Sequence, residues 1–158
     1  MSKNTESSNA AFRLADSYRA TAEKLRIKRR EYPLGDEETA ILNLEIEYLK
    51  QSERLYAYGI EIMGHEAGNA ISALNSASER ITEFAEFIDD VQWFIRVSTA
   101  TLGIGIAVLA GGTPGAIIGA INVFVAVVGE EEKDIKLLAQ ETAKALEDLK
   151  DKNKIRLQ

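Results

Sequence analysis

The side chains that metal or acid–base chemistry would need are scarce in this sequence. It holds a single histidine, His65, with Glu61 four positions before it and Glu66 directly after it. A di-iron site in a helical bundle needs a Glu-x-x-His pair on each of two helices, and a catalytic zinc ion needs three protein ligands. One histidine and two carboxylates supply too few ligands for either site. We therefore predict that His65 lies on the surface beside a helix break, and that the chain holds no metal ion and no cofactor.

Other kinds of catalytic or ligand-binding site also lack their residues. The one histidine has no Ser and carboxylate arranged with it for nucleophilic catalysis. The stretch GIGIAVLAGG has glycines, but no Lys follows them and no strand precedes them, so a phosphate-binding loop is not supported. The net charge of −6 argues against a nucleic-acid partner, which a basic protein would bind better. We predict a protein that is not an enzyme and has no small-molecule substrate.

Basic residues are concentrated in one stretch, Lys24 to Arg30, which reads KLRIKRR. One interpretation is contact with anionic lipid headgroups, which attract Lys and Arg near a charged surface. The other is a solvated helix face, because Lys and Arg near a helix C-terminus suit the helix dipole. We prefer the second. The polar N-terminal stretch MSKNTESSNA lacks the apolar core of a secretory signal peptide.

The elements that position these residues are predicted to be helices. No sustained alternation of apolar and polar residues indicates a strand, and the two prolines each lie close to a glycine at a turn. The sequence therefore predicts an all-α fold, an elongated bundle of three to four helices in one domain over residues 1–158. The predicted helices span residues 7–32, 36–63, 66–110 and 114–150, with a break among Gly59, Gly64 and Gly68.

Apolar residues at helical spacing indicate the buried faces. The first helix carries a stripe of Ala11, Ala15, Tyr18, Ala22 and Leu25, and the second a stripe of Leu42, Ile46, Leu49 and Tyr56. The third shows a heptad repeat of Leu74, Ile81, Ile88, Ile95, Leu102 and Leu109. The fourth continues with Ile117, Ile121, Phe124, Val128, Ile135, Leu138, Ala145 and Leu149. Because only the turn GGTPG separates the last two helices, we expect them to form a long antiparallel hairpin.

One segment of this hairpin carries no charge. The chain has 25 acidic and 19 basic residues, yet none lies between Val97 and Gly129. At ~1.5 Å per residue, the predicted hairpin overhangs the two shorter helices by about 20 Å, and the overhang coincides with this segment. We call residues 97–129 the apolar tip. A tip exposed to water would be charged, so we expect a bilayer, a partner subunit or the chain's own core to cover it.

The tip and its base supply the candidate contact residues. Aromatic and basic side chains are typical of the membrane interface, and we expect Trp93, Phe94 and Arg96 to lie there. Small residues at every fourth position allow helices to approach closely in lipid. The candidate tip contacts to lipid or to other copies are Leu102, Gly103, Ile106, Ala107, Gly111, Gly115, Ile118, Gly119, Asn122, Phe124 and Val125.

Long heptad-patterned helices over Leu74–Leu109 and Ile117–Leu149, with an apolar hairpin between them, resemble the α-helical pore-forming proteins, such as the ClyA-like cytolysins. The resemblance covers roughly the second half of the chain. It implies a soluble form, as in a toxin, that oligomerises and inserts helical hairpins into a membrane.

Two functions are therefore expected from the sequence. In the first, the protein inserts its tip into a lipid bilayer and forms a homo-oligomer that makes a pore or perturbs the membrane. In the alternative, the protein is a non-enzymatic structural or interaction subunit, whose tip is buried in a soluble oligomeric assembly. A third expectation, an ordinary core within one chain, also stays open.

Overall fold

The predicted all-α class is confirmed by the structure, a computed structural model that describes residues 3–31, 35–58, 60–87 and 90–156. These residues form five α-helices and one short 3₁₀ helix, and no strand occurs among them. The elements are α1 (Lys3–Glu31), α2 (Glu37–Ala57), α3 (Ala67–Phe84), the 3₁₀ helix (Ala85–Phe87), α4 (Val91–Leu109) and α5 (Pro114–Arg156).

The long third helix expected over residues 66–110 is divided in the structure into α3 and α4. The 3₁₀ turn ends the first part, and Asp90 then starts the second as an N-cap, with an extended backbone and a carboxylate that accepts from the Trp93 N–H at 3.1 Å. An N-cap of this kind satisfies backbone donors that a continuous helix would pair internally. Of the predicted heptad positions, Leu74, Ile81 and Leu102 are buried, Ile95 and Leu109 are half-buried, and Ile88 lies outside the described residues. The heptad spacing carried no information on whether the helix is continuous.

Other helix ends also differ from the expected bounds. The second helix ends at Ala57 rather than near residue 63, and the glycine-bearing segment follows it. The last helix begins at Pro114, as expected, but continues to Arg156 instead of ending near residue 150. The first helix begins at Lys3, and its expected end at residue 32 lies outside the described residues.

The five helices close into a ring, since each packs along two others. Around the ring the order is α1, α2, α4, α5, α3 and back to α1. Two hydrogen bonds show that α2 and α4 run in the same direction: Gln92 donates to Glu37 near the start of both, and Tyr48 donates to Ser98 further along both. The core that the ring encloses is made mainly of Ala, Leu, Ile and aromatic side chains from all five helices.

This ring corrects the expectation that the uncharged segment overhangs the bundle. The break before Val91 sends α4 back alongside α2, and the two helices have similar lengths, 19 and 21 residues, or about 28 and 31 Å. One face of α4 is therefore covered by the chain itself. The expected overhang followed from treating α3 and α4 as one long helix, and it is absent because they are separate helices.

The buried face of α2 also differs from the expected one. The helix buries Ile41, Tyr48 and Leu55, while its predicted stripe is exposed: Leu42, Ile46, Leu49 and Tyr56 are 37%, 50%, 41% and 38% exposed. The apolar residues indicated the wrong face of α2, because its buried face also holds the polar residues Glu45, Gln51 and Ser52. Glu45 is tolerated there because it accepts from Arg29 at 3.2 and 3.1 Å.

The turn between α4 and α5 lies against another part of the chain. Gly111 and Gly112 have φ values of 139° and 64°, which favour glycine over any other residue. A Cβ on Gly112 would lie 2.9 Å from the Glu61 carbonyl oxygen, so the turn approaches the 60–62 segment closely. Ile62 in turn donates its N–H to the Ser7 hydroxyl of α1 at 3.1 Å. The end of the predicted apolar tip is thus packed against the bundle.

Two buried tyrosines hold α4 against α1 and α2. The Tyr18 hydroxyl donates to the Thr101 carbonyl oxygen and accepts from the Gly105 N–H at 2.9 Å, so it binds two groups one turn apart on α4. The Tyr48 hydroxyl donates to the Ser98 hydroxyl at 2.8 Å, and the two rings meet edge to face at 5.2 Å between centroids. We call these contacts the tyrosine anchor. Each hydrogen bond of this kind stabilises a fold by about 1 kcal/mol.

Gly105 makes the tyrosine anchor sterically feasible. A Cβ at this position would lie 2.1 Å from Gln51 Oε1 and 2.9 Å from Tyr18 Cε2. Gln51 and Tyr18 are both buried, at 2% and 0% exposure, so neither side chain has free space to move into. Gly103, half a turn away, has no heavy atom within 4 Å of an added Cβ. The absence of a side chain is therefore required at Gly105 for close packing, and it is not required at Gly103.

We predict that Gly105→Ala destabilises the protein and that Gly103→Ala does not. The first substitution should lower the free energy of unfolding by about 1–3 kcal/mol, because the methyl group overpacks the core. The second should raise it by up to about 1 kcal/mol, since Ala is the better helix former. Urea unfolding followed by circular dichroism measures both. Equal effects of the two substitutions would contradict the close approach of α4 to Tyr18.

We also predict that stability declines at alkaline pH through the tyrosine anchor. Burial raises the pKa of Tyr18 and of Tyr48 well above the ordinary value of 10.0. Between pH 10 and the raised pKa, the unfolded chain has lost protons that the folded chain keeps, so the free energy of unfolding falls as pH rises. The slope should be about 1.4 kcal/mol per pH unit for each tyrosine, and absent below that range.

Unfolding curves at a series of pH values measure this slope. Tyr18→Phe with Tyr48→Phe should reduce it strongly, while Tyr58→Phe, at a side chain that is 59% exposed, should leave it in place. A smaller slope should remain, because partial burial and the hydrogen bond to Asp16 also raise the pKa of Tyr56. A slope above pH 10 that the double substitution leaves unchanged would show that other groups cause it.

Candidate functional site: the uncharged face of α4 and α5

One continuous part of the surface carries no charged side chain. It consists of the exposed and half-buried residues of α4 and α5 between Val97 and Gly129, and we call it the uncharged face. Its most exposed large side chains are Ile106, Val123 and Val125, at 60%, 57% and 45%. Most of the other members are small: Thr99, Ala100, Gly103, Ala107, Leu109, Pro114, Gly115, Ala116, Ile118, Gly119, Ala120, Asn122, Ala126, Val127 and Gly129. Scattered apolar side chains are ordinary on a protein surface, but a patch without any charge is not.

A groove runs along the uncharged face between the two helices. It has a volume of about 480 Å³, and it is lined by Thr99, Ala100 and Gly103 on α4 and by Ala120, Val123 and Val127 on α5, with Arg96 at one end. Its lining consists mainly of small residues and valines, so the groove is apolar. A groove of this shape fits an apolar side chain or an acyl chain better than a polar ligand.

A second groove marks the boundary of the uncharged face on the side of α3. It has a volume of about 370 Å³, and Ile121 and Val125 of α5 form one wall. The opposite wall belongs to α3 and includes Glu79, Arg80 and Glu83. The uncharged face therefore ends where α3 begins, and a partner that covers it meets charged residues at that edge.

The predicted tip residues divide between the core and the uncharged face. Leu102 and Phe124 are buried at 8% and 0% exposure, Gly111 lies in the α4–α5 turn, and the remaining predicted residues lie on the uncharged face. Of these, Ile106, Gly115, Gly119, Asn122 and Val125 are exposed, and Gly103, Ala107 and Ile118 are half-buried. Residues 97–129 thus have one side in the core and one side at the surface, which the absence of charge alone did not indicate.

The residues expected at a membrane interface lie elsewhere in this bundle. Trp93 and Phe94 are 2% and 0% exposed, and both rings pack against Phe84 of α3, at centroid distances of 6.0 and 5.2 Å. Arg96 is exposed at the end of the α4–α5 groove. The two aromatic residues therefore join α4 to α3 in the core, because the 3₁₀ turn brings Phe84 next to them.

Sequence reasoning missed Val123, which is the most exposed large side chain of the uncharged face on α5. A signal for it was present, because Val123 continues the four-residue spacing of Gly115 and Gly119. Those two glycines, like Gly103, have no heavy atom within 4 Å of an added Cβ. Space above these glycines is open to a second helix or to lipid, in contrast to the filled space above Gly105.

The length and composition of α4 are those of a helix that crosses a membrane. It has 19 residues with a mean hydropathy of 1.4, and 56% of the apolar window is buried inside the bundle. Among the described residues no other helix meets the same criteria, although Pro114–Gly129 forms a shorter apolar stretch. A core helix of a soluble protein has the same composition, so hydropathy does not separate the two roles.

A second exposed apolar stripe, on α2, differs from the uncharged face in its charge. Leu42, Ile46 and Leu49 are exposed there, but Glu38, Glu47, Lys50 and Glu53 share the same helix. The acidic residues would be close to any apolar surface that covers the stripe, and their desolvation would cost free energy. The α2 stripe is therefore the weaker candidate for contact with lipid.

The basic stretch on α1 has acidic partners within the chain. Lys24 pairs with Glu86 beyond the end of α3, Arg26 pairs with Glu23, and Arg29 pairs with Glu45 of α2. These pairs lower the net positive charge that a lipid surface would meet. They favour the interpretation of the stretch as a solvated helix face.

His65 and its neighbours are exposed in the segment between α2 and α3. Glu61 and Glu66 are exposed as well, and Gly64, with φ of 108°, separates Glu61 from His65 along the chain. Among the described residues, no group of three or more His, Cys, Asp or Glu side chains is placed to hold a metal ion.

The chain was also compared with known proteins. No family model matches it, and neither a curated protein nor a solved structure does so.

Proposed function

We propose that this protein acts on a lipid bilayer, first by docking its uncharged face and then by inserting α4 and the apolar part of α5. The observation that carries the proposal is the exposure of Ile106, Val123 and Val125 on a surface that holds no charge. Transfer of such side chains from water to an apolar environment is favourable by about 1–2 kcal/mol each when they are half-exposed. Nothing on this face opposes that transfer with a charge.

Docking alone binds a membrane weakly. Three half-exposed side chains contribute a few kcal/mol, about the scale of one myristoyl chain, which gives only marginal and reversible membrane binding. Durable association requires a larger apolar area, and α4 supplies it. The helix is about 28 Å long, close to the ~30 Å of a hydrocarbon core.

Insertion requires α4 to leave the tyrosine anchor, and its composition keeps that cost low. Apolar side chains that leave the core enter lipid instead of water, so they keep most of their favourable transfer free energy. The polar Thr101 already donates to the Val97 carbonyl oxygen of its own helix at 2.8 Å, a bond that survives transfer. What is lost is mainly the set of hydrogen bonds to Tyr18 and Tyr48, each with a net contribution of about 1 kcal/mol.

In the inserted state we propose the elongated antiparallel hairpin that the sequence predicts, with its turn at Gly111–Gly115 leading. Several hairpins then associate into a pore or a membrane-perturbing oligomer. The glycines at 103, 115 and 119 leave room for the close packing of helices in lipid, and Asn122 supplies an amide for hydrogen bonds between hairpins. The protein is therefore soluble before it acts and membrane-bound afterwards, and the bilayer and its own copies are its partners.

A second function is a structural or interaction subunit, in which the uncharged face is buried in a soluble assembly. The open space above Gly103, Gly115 and Gly119 favours it as well, because a helix from another subunit would fit closely there. The two functions differ in what covers the face, and the response to lipid separates them.

We predict that Ile106→Asp abolishes membrane binding and that Ile46→Asp does not. Both substitutions place a carboxylate at an exposed isoleucine, at 60% and 50% exposure, but only the first lies on the uncharged face. An aspartate in a membrane-spanning helix costs about 3 kcal/mol, so the fraction bound to vesicles should fall about a hundredfold. Co-sedimentation with vesicles, with and without anionic lipid, gives the bound fraction, and circular dichroism checks that both variants stay folded.

Two results would contradict the membrane proposal. Wild-type protein that stays in the supernatant with both kinds of vesicle, as a monodisperse species, would favour the soluble assembly instead. Equal loss of binding in Ile46→Asp would move the contact to the apolar stripe of α2.

We predict further that weakening the tyrosine anchor accelerates dye release from vesicles. Tyr18→Phe with Tyr48→Phe removes two hydroxyls that make three hydrogen bonds to α4, each worth about 1 kcal/mol, so release should be roughly a hundred times faster. Binding before release should change little, because the uncharged face is intact. Tyr58→Phe serves as the surface control. Unchanged release in the double variant, with unchanged binding, would show that docking perturbs the membrane without the departure of α4.

A further inference from the structure

Charged side chains border the uncharged face at its edges, and carboxylates outnumber cations among those that a contact places there. On the α3 side, Glu79, Arg80 and Glu83 lie across the second groove from Ile121 and Val125. Glu79 and Glu83 are exposed and lie one helical turn apart. A surface that covers Val125 therefore meets two acidic groups and one basic group.

The α2 side of the uncharged face is acidic as well. Glu37 accepts from the Gln92 amide of α4 at 2.9 Å. Glu47 accepts from the Gln51 amide at 3.3 Å, and Gln51 in turn packs against Gly105 of α4. These contacts place both carboxylates near α4, at the border of the uncharged face.

The same excess of acid occurs at the two ends of the uncharged face. Arg96 lies at one end of the α4–α5 groove, and in the sequence Glu130, Glu131 and Glu132 directly follow the uncharged segment at this end. At the other end, the α4–α5 turn packs against the main chain of Glu61, which is exposed. The net charge of the whole chain, −6, has the same sign.

The charge of these edges determines which membrane surface the uncharged face approaches most easily. When the face lies on a bilayer, its edges are at the level of the lipid headgroups. A bilayer with anionic lipid has a negative surface potential, which changes binding by roughly fivefold for each elementary charge held close to it. This potential attracts cations and repels carboxylates, so acidic edges weaken binding to anionic lipid.

We propose that the protein binds a zwitterionic phospholipid surface, such as phosphatidylcholine, in preference to an anionic one. This preference rests on the proposed membrane function, for which it names the lipid class. A phosphatidylcholine headgroup carries a phosphate and a quaternary ammonium group, with no net charge. Its ammonium group complements Glu79 and Glu83, and its phosphate complements Arg80. The headgroup of phosphatidylglycerol has a phosphate but no ammonium group, so it has no group that attracts the two carboxylates.

The basic stretch of α1 does not oppose this preference. The ring places α1 between α2 and α3, away from the α4–α5 groove. Lys24, Arg26 and Arg29 of this stretch also pair with carboxylates of the chain itself. A bilayer that covers the uncharged face is therefore not held by these cations.

Co-sedimentation with two kinds of vesicle tests the lipid preference, one of phosphatidylcholine alone and one of phosphatidylcholine mixed with phosphatidylglycerol. The wild type should bind the first kind roughly tenfold more tightly at low ionic strength. High salt should reduce the difference, because it screens charges at the surface. Glu79→Lys with Glu83→Lys should raise binding to the mixed vesicles by roughly tenfold or more, without raising binding to phosphatidylcholine alone.

Glu38→Lys with Glu53→Lys is the matched control. Both glutamates are exposed and continue the four-residue spacing of the α2 stripe, with Leu42 and Leu49 as their neighbours. This variant has the same net charge as the α3 variant, but the edges of the uncharged face are unchanged. It should keep the wild-type preference, and circular dichroism checks that both variants stay folded.

The outcomes separate the lipid preference from the membrane function itself. Wild-type protein that binds the mixed vesicles equally or more tightly would overturn the preference and leave the membrane function standing. An equal gain in the control variant would overturn the role of the edges, because net charge alone would then explain the effect. Binding to neither kind of vesicle would overturn the membrane function and the preference together.

Discussion

The rest of the structure depends on the close contact between α4 and the two buried tyrosines. Hydropathy alone would assign α4 to a membrane. The Tyr18 hydroxyl holds α4 against the bundle, because it donates to the Thr101 carbonyl oxygen and accepts from the Gly105 N–H. The contact exists because Gly105 has no Cβ to push the Tyr18 ring away. Apolar packing around this point has little directionality, whereas the hydroxyls fix the position of α4 along and around its axis.

The inner and outer faces of α4 differ in composition. The inner face of α4 mixes apolar side chains with Ser98 and Thr101, which a purely apolar core would not need. After Arg96 the outer face has no charge. Seven of the ten buried residues of α4 are apolar, so its inner face resembles that of other core helices. Its outer face differs from that of the usual surface helix, whose outer side carries polar and charged residues.

Several features could be predicted from the sequence, for physical reasons that particular residues make clear. The stripe from Ala11 to Leu25 is buried as its spacing indicates, and α5 starts at Pro114 because proline fits the first turn of a helix. The break between α3 and α4 could not be predicted from spacing. Asp90 caps the start of α4 with its side chain, and a heptad pattern of apolar residues does not record such a cap.

On α2 the buried face includes Glu45, Gln51 and Ser52, so counting apolar residues selected the exposed stripe instead. Whether a glycine receives a neighbour or faces open space depends on tertiary contacts, and Gly103 and Gly105 are alike in sequence but opposite in the structure.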